Sequence, residues 1–279
     1  MKRFLIAIFA FAMLMFSCNG SKMAGSHDEA PADSSDFVDS VVADTMELLI
    51  TETPMPKAAD ELFDDFFFNF AANRKLQMER IVFPLPVINA ERTDSIGKSE
   101  WKTEHFFMRQ GYYTLIFDNA RQMEAGKDTT INHVVVEKIY LNIKTVKQYL
   151  FDRVNGLWMM RGINVIPMYK DKNASFLKFY QSFVSDSLFQ VSSLSDPVTF
   201  VGPDPDDDFA QMEGVLTPET WPAFAPELPS KILYNINYGQ ANRNSNNKIF
   251  VMRGISNGLE IELTFTRRNG KWLLTKLIT

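Results

Sequence analysis

The sequence predicts an α+β protein built from two tandem cone-like domains, each with N-terminal helices packed on a curved antiparallel sheet. Three observations predict it. An aromatic pattern occurs twice, as Phe63, Phe66, Phe67 and Phe70 and again as Phe176, Phe179, Tyr180 and Phe183, a shift of 113 residues from Phe63 to Phe176. A second signature, Phe151, Arg153, Asn155, Gly156 and Trp158, returns as Phe265, Arg267, Asn269, Gly270 and Trp272, a shift of 114 residues from Phe151 to Phe265. Two blocks repeating at nearly one offset indicate two copies of one unit. Finally, Leu259, Ile261, Leu263 and Phe265 alternate with Glu260, Glu262, Thr264 and Thr266 in the second copy, the pattern of a half-buried antiparallel strand.

The chain opens on a targeting segment. Lys2 and Arg3 precede a 13-residue apolar run, Phe4 to Phe16. A bilayer span needs roughly 20 residues, so residues 1–18 read as a signal peptide. Its ending, Met15-Phe16-Ser17-Cys18, resembles that of bacterial lipoprotein signal peptides. The resemblance implies that Cys18 is acylated, becomes the new N-terminus and anchors the protein to a membrane. Asn19 follows the cysteine, which by resemblance to enteric-type sorting implies the outer membrane. Cys18 is the single cysteine, so no internal disulfide forms and stability must come from packing.

Residues 19–59 form an acidic tether, with two basic residues against eight acidic ones, a net of −6. The whole chain has a net charge of −5. The remaining body is near neutral and carries no basic stripe, which argues against nucleic acid as a partner. The more apolar run Val41 to Ile50 reads as a short helix docking on the body.

The first copy spans residues 60–170 and the second 171–279. In each, the aromatics lie at i, i+3, i+4 and i+7, one face of a helix. A short second helix comes next, with Asp186 placed to cap it in copy two and Pro84 and Pro197 placed to end it. Short extended runs succeed it, Leu85–Ile88 and Val198–Val201. Ser99 and Thr217 carry helix-start signals for a third helix. Trp101 and Trp221 correspond there at a shift of 120 residues, so copy two carries an insertion, assigned to Gly202–Asp208. Four strands complete each copy: Tyr112–Phe117, His133–Leu141, Thr145–Arg153 and Leu157–Ile166, then Ile232–Tyr238, Lys248–Arg253, Leu259–Arg267 and Lys271–Ile278. Asn155-Gly156 and Asn269-Gly270 suit two-residue type I′ hairpin turns, whose central positions both need positive φ.

Helices followed by a curved sheet closed by an Asn-Gly-x-Trp hairpin resemble the nuclear transport factor 2-like superfamily, and the length of each copy fits one such domain. Two such copies behind a lipoprotein leader resemble an uncharacterised bacterial lipoprotein family known as a domain of unknown function. The superfamily includes isomerases, dehydratases, hydrolases and binding modules, so the fold does not choose among activities. It implies a cavity between the first helix and the concave sheet. Phe67, which becomes Tyr180, and Arg153 and Arg267, each two residues beyond a strand Phe, are the pocket-lining candidates. The plainer reading makes the aromatics core and the arginines caps over apolar surface.

Other chemistry is thinly signalled. His27, His105 and His133 show no metal-ligand spacing, although a His-Asp pair across the sheet of copy one fits the residues. Asp204, Asp206 and Asp208 have the alternation of a calcium loop, but Phe209 and Val215 stand where that loop needs Gly and Glu. A solvated acidic insertion is the plainer reading. No catalytic or cofactor motif is present, so no cofactor is expected. The resulting expectation is a non-catalytic envelope module for a small apolar ligand or an envelope protein. An isomerase- or hydrolase-type enzyme using one cavity, and a structural or assembly subunit, are the alternatives. The duplication also suggests a fused pair of sheets with a pseudo-two-fold axis, against which stands the polar face of Glu260, Glu262, Thr264 and Thr266 in copy two, where copy one's corresponding strand shows Val146 and Leu150.

Overall fold

The computed structural model describes residues 57–279 except 91, 205 and 240–244. The signal peptide, Cys18, His27, Val41–Ile50 and nearly all of the tether lie outside these residues. The last three residues of the expected tether, 57–59, open a 3-10 turn, Lys57–Asp60, in which Ala59 and Asp60 are buried.

Each repeat begins with two helices, α1 Phe63–Ala72 and α2 Arg74–Arg80 in the first, α3 Ala174–Ser185 and α4 Ser187–Ser192 in the second. Their caps arise from sequence: Leu76 N donates to Asn73 Oδ1 at 3.0 Å, while Leu188 N and Phe189 N donate to Asp186 Oδ1 at 2.9 and 3.0 Å. The strands are β1 Leu85–Asn89, β2 Thr93–Ile96, β3 Tyr112–Phe117, β4 His133–Tyr140, β5 Thr145–Val154 and β6 Leu157–Pro167. The second repeat supplies β7 Leu194–Asp204, β8 Asp207–Leu216, the short helix α5 Trp221–Phe224, β9 Ile232–Asn237, β10 Asn247–Gly254, β11 Glu260–Arg268 and β12 Lys271–Ile278. Both Asn-Gly turns form as expected, with φ of 51° and 81° at Asn155 and Gly156, and 50° and 80° at Asn269 and Gly270.

Two sequence expectations need correction. The third helices are single turns, a 3-10 turn at Lys98–Glu100 and the four-residue α5. In the first repeat the chain beyond the turn is drawn inward by Phe106 and Phe107, both buried, and in the second Pro226 and Pro229 prevent continuation. The strands β2 and β8 are additional to those the sequence predicts. Each pairs antiparallel with the strand before it, β2 with β1 and β8 with β7. The longer β7–β8 hairpin absorbs the insertion.

The twelve strands form one mixed sheet in the order β2-β1-β6-β5-β4-β9-β3-β10-β11-β12-β7-β8. Replacing each strand by its counterpart in the other repeat reproduces this order reversed. Two adjoining halves therefore result, but not from contiguous chain. The strand β9 of the second repeat pairs with β4 of the first, and β3 of the first pairs with β10 of the second. The repeats exchange one strand each at the centre.

Side-chain alternation along the central strands gives the sheet two apolar faces. On β10, Ile249 and Val251 enter one core with the α1 aromatics, whereas Phe250 and Met252 enter the other with those of α3. The helices of the two repeats thus cover opposite faces. Equivalent rings pack alike: Phe70 meets Phe151 edge-on at 5.3 Å, and Phe183 meets Phe265 edge-on at 5.3 Å. Edge-to-face packing is favoured by the ring quadrupoles. Buried Gln77 accepts from Trp101 Nε1 at 3.0 Å, and Gln190 accepts from Trp221 Nε1 at 2.9 Å, which supports the Trp101/Trp221 correspondence.

Candidate functional site

Between the sheet and segment 226–231 of the second repeat lies a pocket of about 720 Å³. Its apolar wall is made by Leu228, Ile232, Met252, Leu259 and Ile261, together with Tyr112. Tyr112 belongs to β3, so the exchanged strand of the first repeat completes the pocket of the second. The covering segment belongs to no helix or strand, and Pro226 and Pro229 lack the backbone N–H that either would use. It is also pinned from beneath, where buried Tyr180 donates to the Pro229 carbonyl at 3.1 Å. Gln110, Glu227, Ser230 and Lys231 supply polar side chains, beside the Tyr112 hydroxyl. Burial and the charge of Glu227 push the Tyr112 hydroxyl above its ordinary pKa.

The counterpart in the first repeat is polar. At the offset of 114 residues, Lys138 stands where the second repeat has Met252, and Lys147 stands where it has Ile261. There Glu104 accepts from Lys138 Nζ at 3.2 Å and from the Tyr149 hydroxyl at 2.7 Å. The Lys138 ammonium also lies 5.3 Å from the Tyr234 ring centre and Lys147 lies 4.8 Å from that of Tyr149. Burial opposes ionisation of Glu104, but the Tyr149 hydrogen bond and Lys138 outweigh it and hold the carboxyl below its usual range. Burial lowers the Lys147 ammonium. One location thus holds an ion-paired aromatic cluster in the first repeat and an apolar pocket in the second.

A further polar group sits beneath the centre of the sheet. Glu137 on β4 is fully buried, accepting from Gln148 Nε2 at 3.1 Å and from Asn235 Nδ2 at 2.7 Å. Burial, with the charge of Asp171, pushes its pKa up to about 8. Nearby, Lys248 donates to Asp118 and to Asn173. On the opposite face, the Tyr238 hydroxyl donates to Asp64 of α1, whose pKa burial raises to about 6. That bond joins a first-repeat helix to the end of the exchanged strand β9.

The residues singled out by sequence are dispersed. Phe67 is buried among Phe63, Phe70, Phe106 and Phe151, and Tyr180 stacks on Phe250 with centroids 4.8 Å apart. Both are core residues, Tyr180 acting on the pocket only through Pro229. Arg153 donates to the carbonyls of Thr129, Asp60 and Glu61 and lies 4.8 Å from the Trp158 ring centre, so it closes apolar surface. Arg267 lines a different pocket. His133 Nδ1 lies 2.6 Å from Asp152 Oδ1 in a cross-strand pair, with both side chains largely exposed. His105 lies in the turn whose carbonyl accepts from Met108 N. Asp204 sits at the β7–β8 tip, where its Oδ1 accepts from Asp206 N, while the Asp208 side chain lies outside the described residues. Among the described residues no group of three metal-ligating side chains converges.

Sequence reasoning missed Tyr112, Met252 and the Glu104–Lys138–Tyr149 group. Their association depends on the exchange of β3 and β9, which no local pattern encodes. A signal was present in the aligned repeats, where Lys138 and Lys147 face Met252 and Ile261.

Comparison with known proteins returns an uncharacterised family and a fold. No curated protein matches. A crystal structure of an NTF2-like protein from Bacteroides fragilis NCTC 9343 is 43% identical, covers 81% of this chain and 98% of that chain, and has a TM-score of 0.74. Residues 42–279 match the family described as domain of unknown function DUF4348, and the chain belongs to that family.

Proposed function

We propose that this protein is a lipid-anchored module of the bacterial cell envelope, held by Cys18 through an acidic tether, that binds a small apolar ligand without chemically transforming it. In this reading the two repeats are two nuclear transport factor 2-like domains that exchange β3 and β9, with the outer membrane as the destination. The observation that carries the binding function is the apolar pocket of the second repeat, in the position where the first repeat has a satisfied ion-pair cluster. A concave, largely apolar surface with a few polar groups is the usual form of a small-molecule site. The pocket's polar groups lie on its covering segment and on Gln110 and Tyr112, suited to orienting a ligand.

Titration with the neutral fluorescent probe N-phenylnaphthylamine tests this reading. The full-length protein is expected to bind it saturably, and Leu259→Trp, which fills the mouth from a half-buried position, is expected to weaken binding by about ten-fold. Equal affinity for the two proteins at equal thermal stability would remove the pocket from the account.

A further inference from the structure

A second cavity, of about 590 Å³, opens between α3, α4 and the β11–β12 hairpin. Three cations line it, Lys178 from α3, Arg267 from β11 and Lys271 from β12, with Phe179 and Trp272 also in its wall. No acidic side chain is in that lining among the described residues. The Arg267 guanidinium makes one long hydrogen bond, from Nε to the Gly270 carbonyl at 3.4 Å, and lies 6.0 Å from the Trp272 ring centre. Lys178 and Lys271 form no ion pair among the described residues.

The first repeat shows that the scaffold does not require this arrangement. There Arg80 stands where the second repeat has Ser193. Its guanidinium fills the space, paired with Asp60 at 2.8 Å and lying 5.7 Å from the Phe66 ring centre. Phe66 is the counterpart of Phe179. The other exchanges have one electrostatic direction: Asp65 becomes Lys178, Glu79 becomes Ser192 and Leu157 becomes Lys271. Arg153 and Arg267 are common to both, but Arg153 is consumed by three backbone carbonyls. The second repeat has therefore lost the plug, lost both acids and gained two lysines around a retained arginine and two retained aromatic rings.

We propose that this cavity binds a small ligand carrying an oxyanion, such as a phosphate, sulfate or carboxylate, on a ring. The cations take the oxyanion through charge-assisted hydrogen bonds, and the Phe179–Trp272 surface takes the ring. The site is separate from the apolar pocket and stands or falls independently of it.

Isothermal titration of the full-length protein with phenyl phosphate, inorganic phosphate and phenol tests the assignment. Phenyl phosphate is expected to bind at least about ten-fold more tightly than either fragment, with affinity falling as salt screens the cations. The double variant Lys178→Asp, Lys271→Leu installs the exposed residues that the first repeat carries at these positions. It is expected to weaken phenyl phosphate at least about ten-fold with an unchanged melting temperature. Equal affinity of wild type and variant, or no preference for phenyl phosphate over inorganic phosphate, would overturn the proposal. Should the double variant unfold, Lys271→Leu alone, measured beside wild type at the same salt, provides the comparison, and wild-type affinity there would likewise overturn it.

Discussion

Glu137 shows how a single residue links burial to measurable behaviour. Its carboxyl is fully buried and its pKa lies at about 8, against an ordinary value of 4.5. The folded state therefore holds the proton more tightly than the unfolded state. For a carboxyl raised in this way, the contribution to stability is greatest below the unfolded pKa and declines as pH rises through the folded one. Wild type should thus lose stability relative to Glu137→Gln between about pH 4.5 and pH 8. The check is the difference in urea midpoint between the two proteins at pH 5 and pH 8. We expect the variant to gain on wild type by about 1–3 kcal/mol across that range, discounted from the full shift for relaxation around the site. A difference independent of pH would mean that Glu137 is ionised in the folded protein at both values. Asp64, raised to about 6 by burial, lies on the opposite face and cancels in the comparison, whereas Asp171, also raised by burial, interacts with Glu137, so the difference reports the two carboxyls together.

At the scale of the element, the hairpins are the most legible part of the chain. Asn155-Gly156 and Asn269-Gly270 specify positive φ at both central positions, so the turn and the register beside it are fixed by local chemistry, while each pairing shifts farther along, between Leu150 and Phe151 and between Thr264 and Phe265. A Cβ added at Gly156 or Gly270 meets nothing within 4 Å. The cost of Gly156→Ala or Gly270→Ala is therefore conformational, about 1 kcal/mol each, and chemical denaturation should report it without loss of the native fold. A cost near zero for both would show that these turns do not constrain the sheet. The helix faces and the Asp186 cap are equally legible, since each depends on residues a few positions apart. The third helices are shorter than the sequence predicts because a Ser or Thr start signal does not encode how far a helix runs. Phe106 and Phe107 turn inward in one repeat, and prolines interrupt in the other.

For the whole molecule, the duplication is visible in the sequence but its architecture is not. The repeat suggests two successive domains, whereas β3 and β9 cross into each other's half of a continuous sheet. The central strands carry apolar residues on both faces, as in YYTLIF of β3 and KIFVM of β10. That departure from alternation is the available sign that both faces are covered. Which strand lies beside which is a long-range choice, and the site inherits the difficulty: Tyr112 reaches the second-repeat pocket only because β3 crosses over. Comparing the repeats recovers what a single pattern cannot. Shared residues, from the paired aromatic helices to Gln77 and Gln190, build the scaffold, and the differences at Lys138/Met252 and Lys147/Ile261 open a pocket in one half alone. The most direct test of that asymmetry is methyl NMR of the full-length protein during titration with N-phenylnaphthylamine. Saturable shifts are expected at Met252, Leu259 and Ile261, with Val136 and Ile163 of the first core unmoved. Shifts confined to the first core, or saturable binding that leaves all three pocket methyls in place, would contradict the asymmetry.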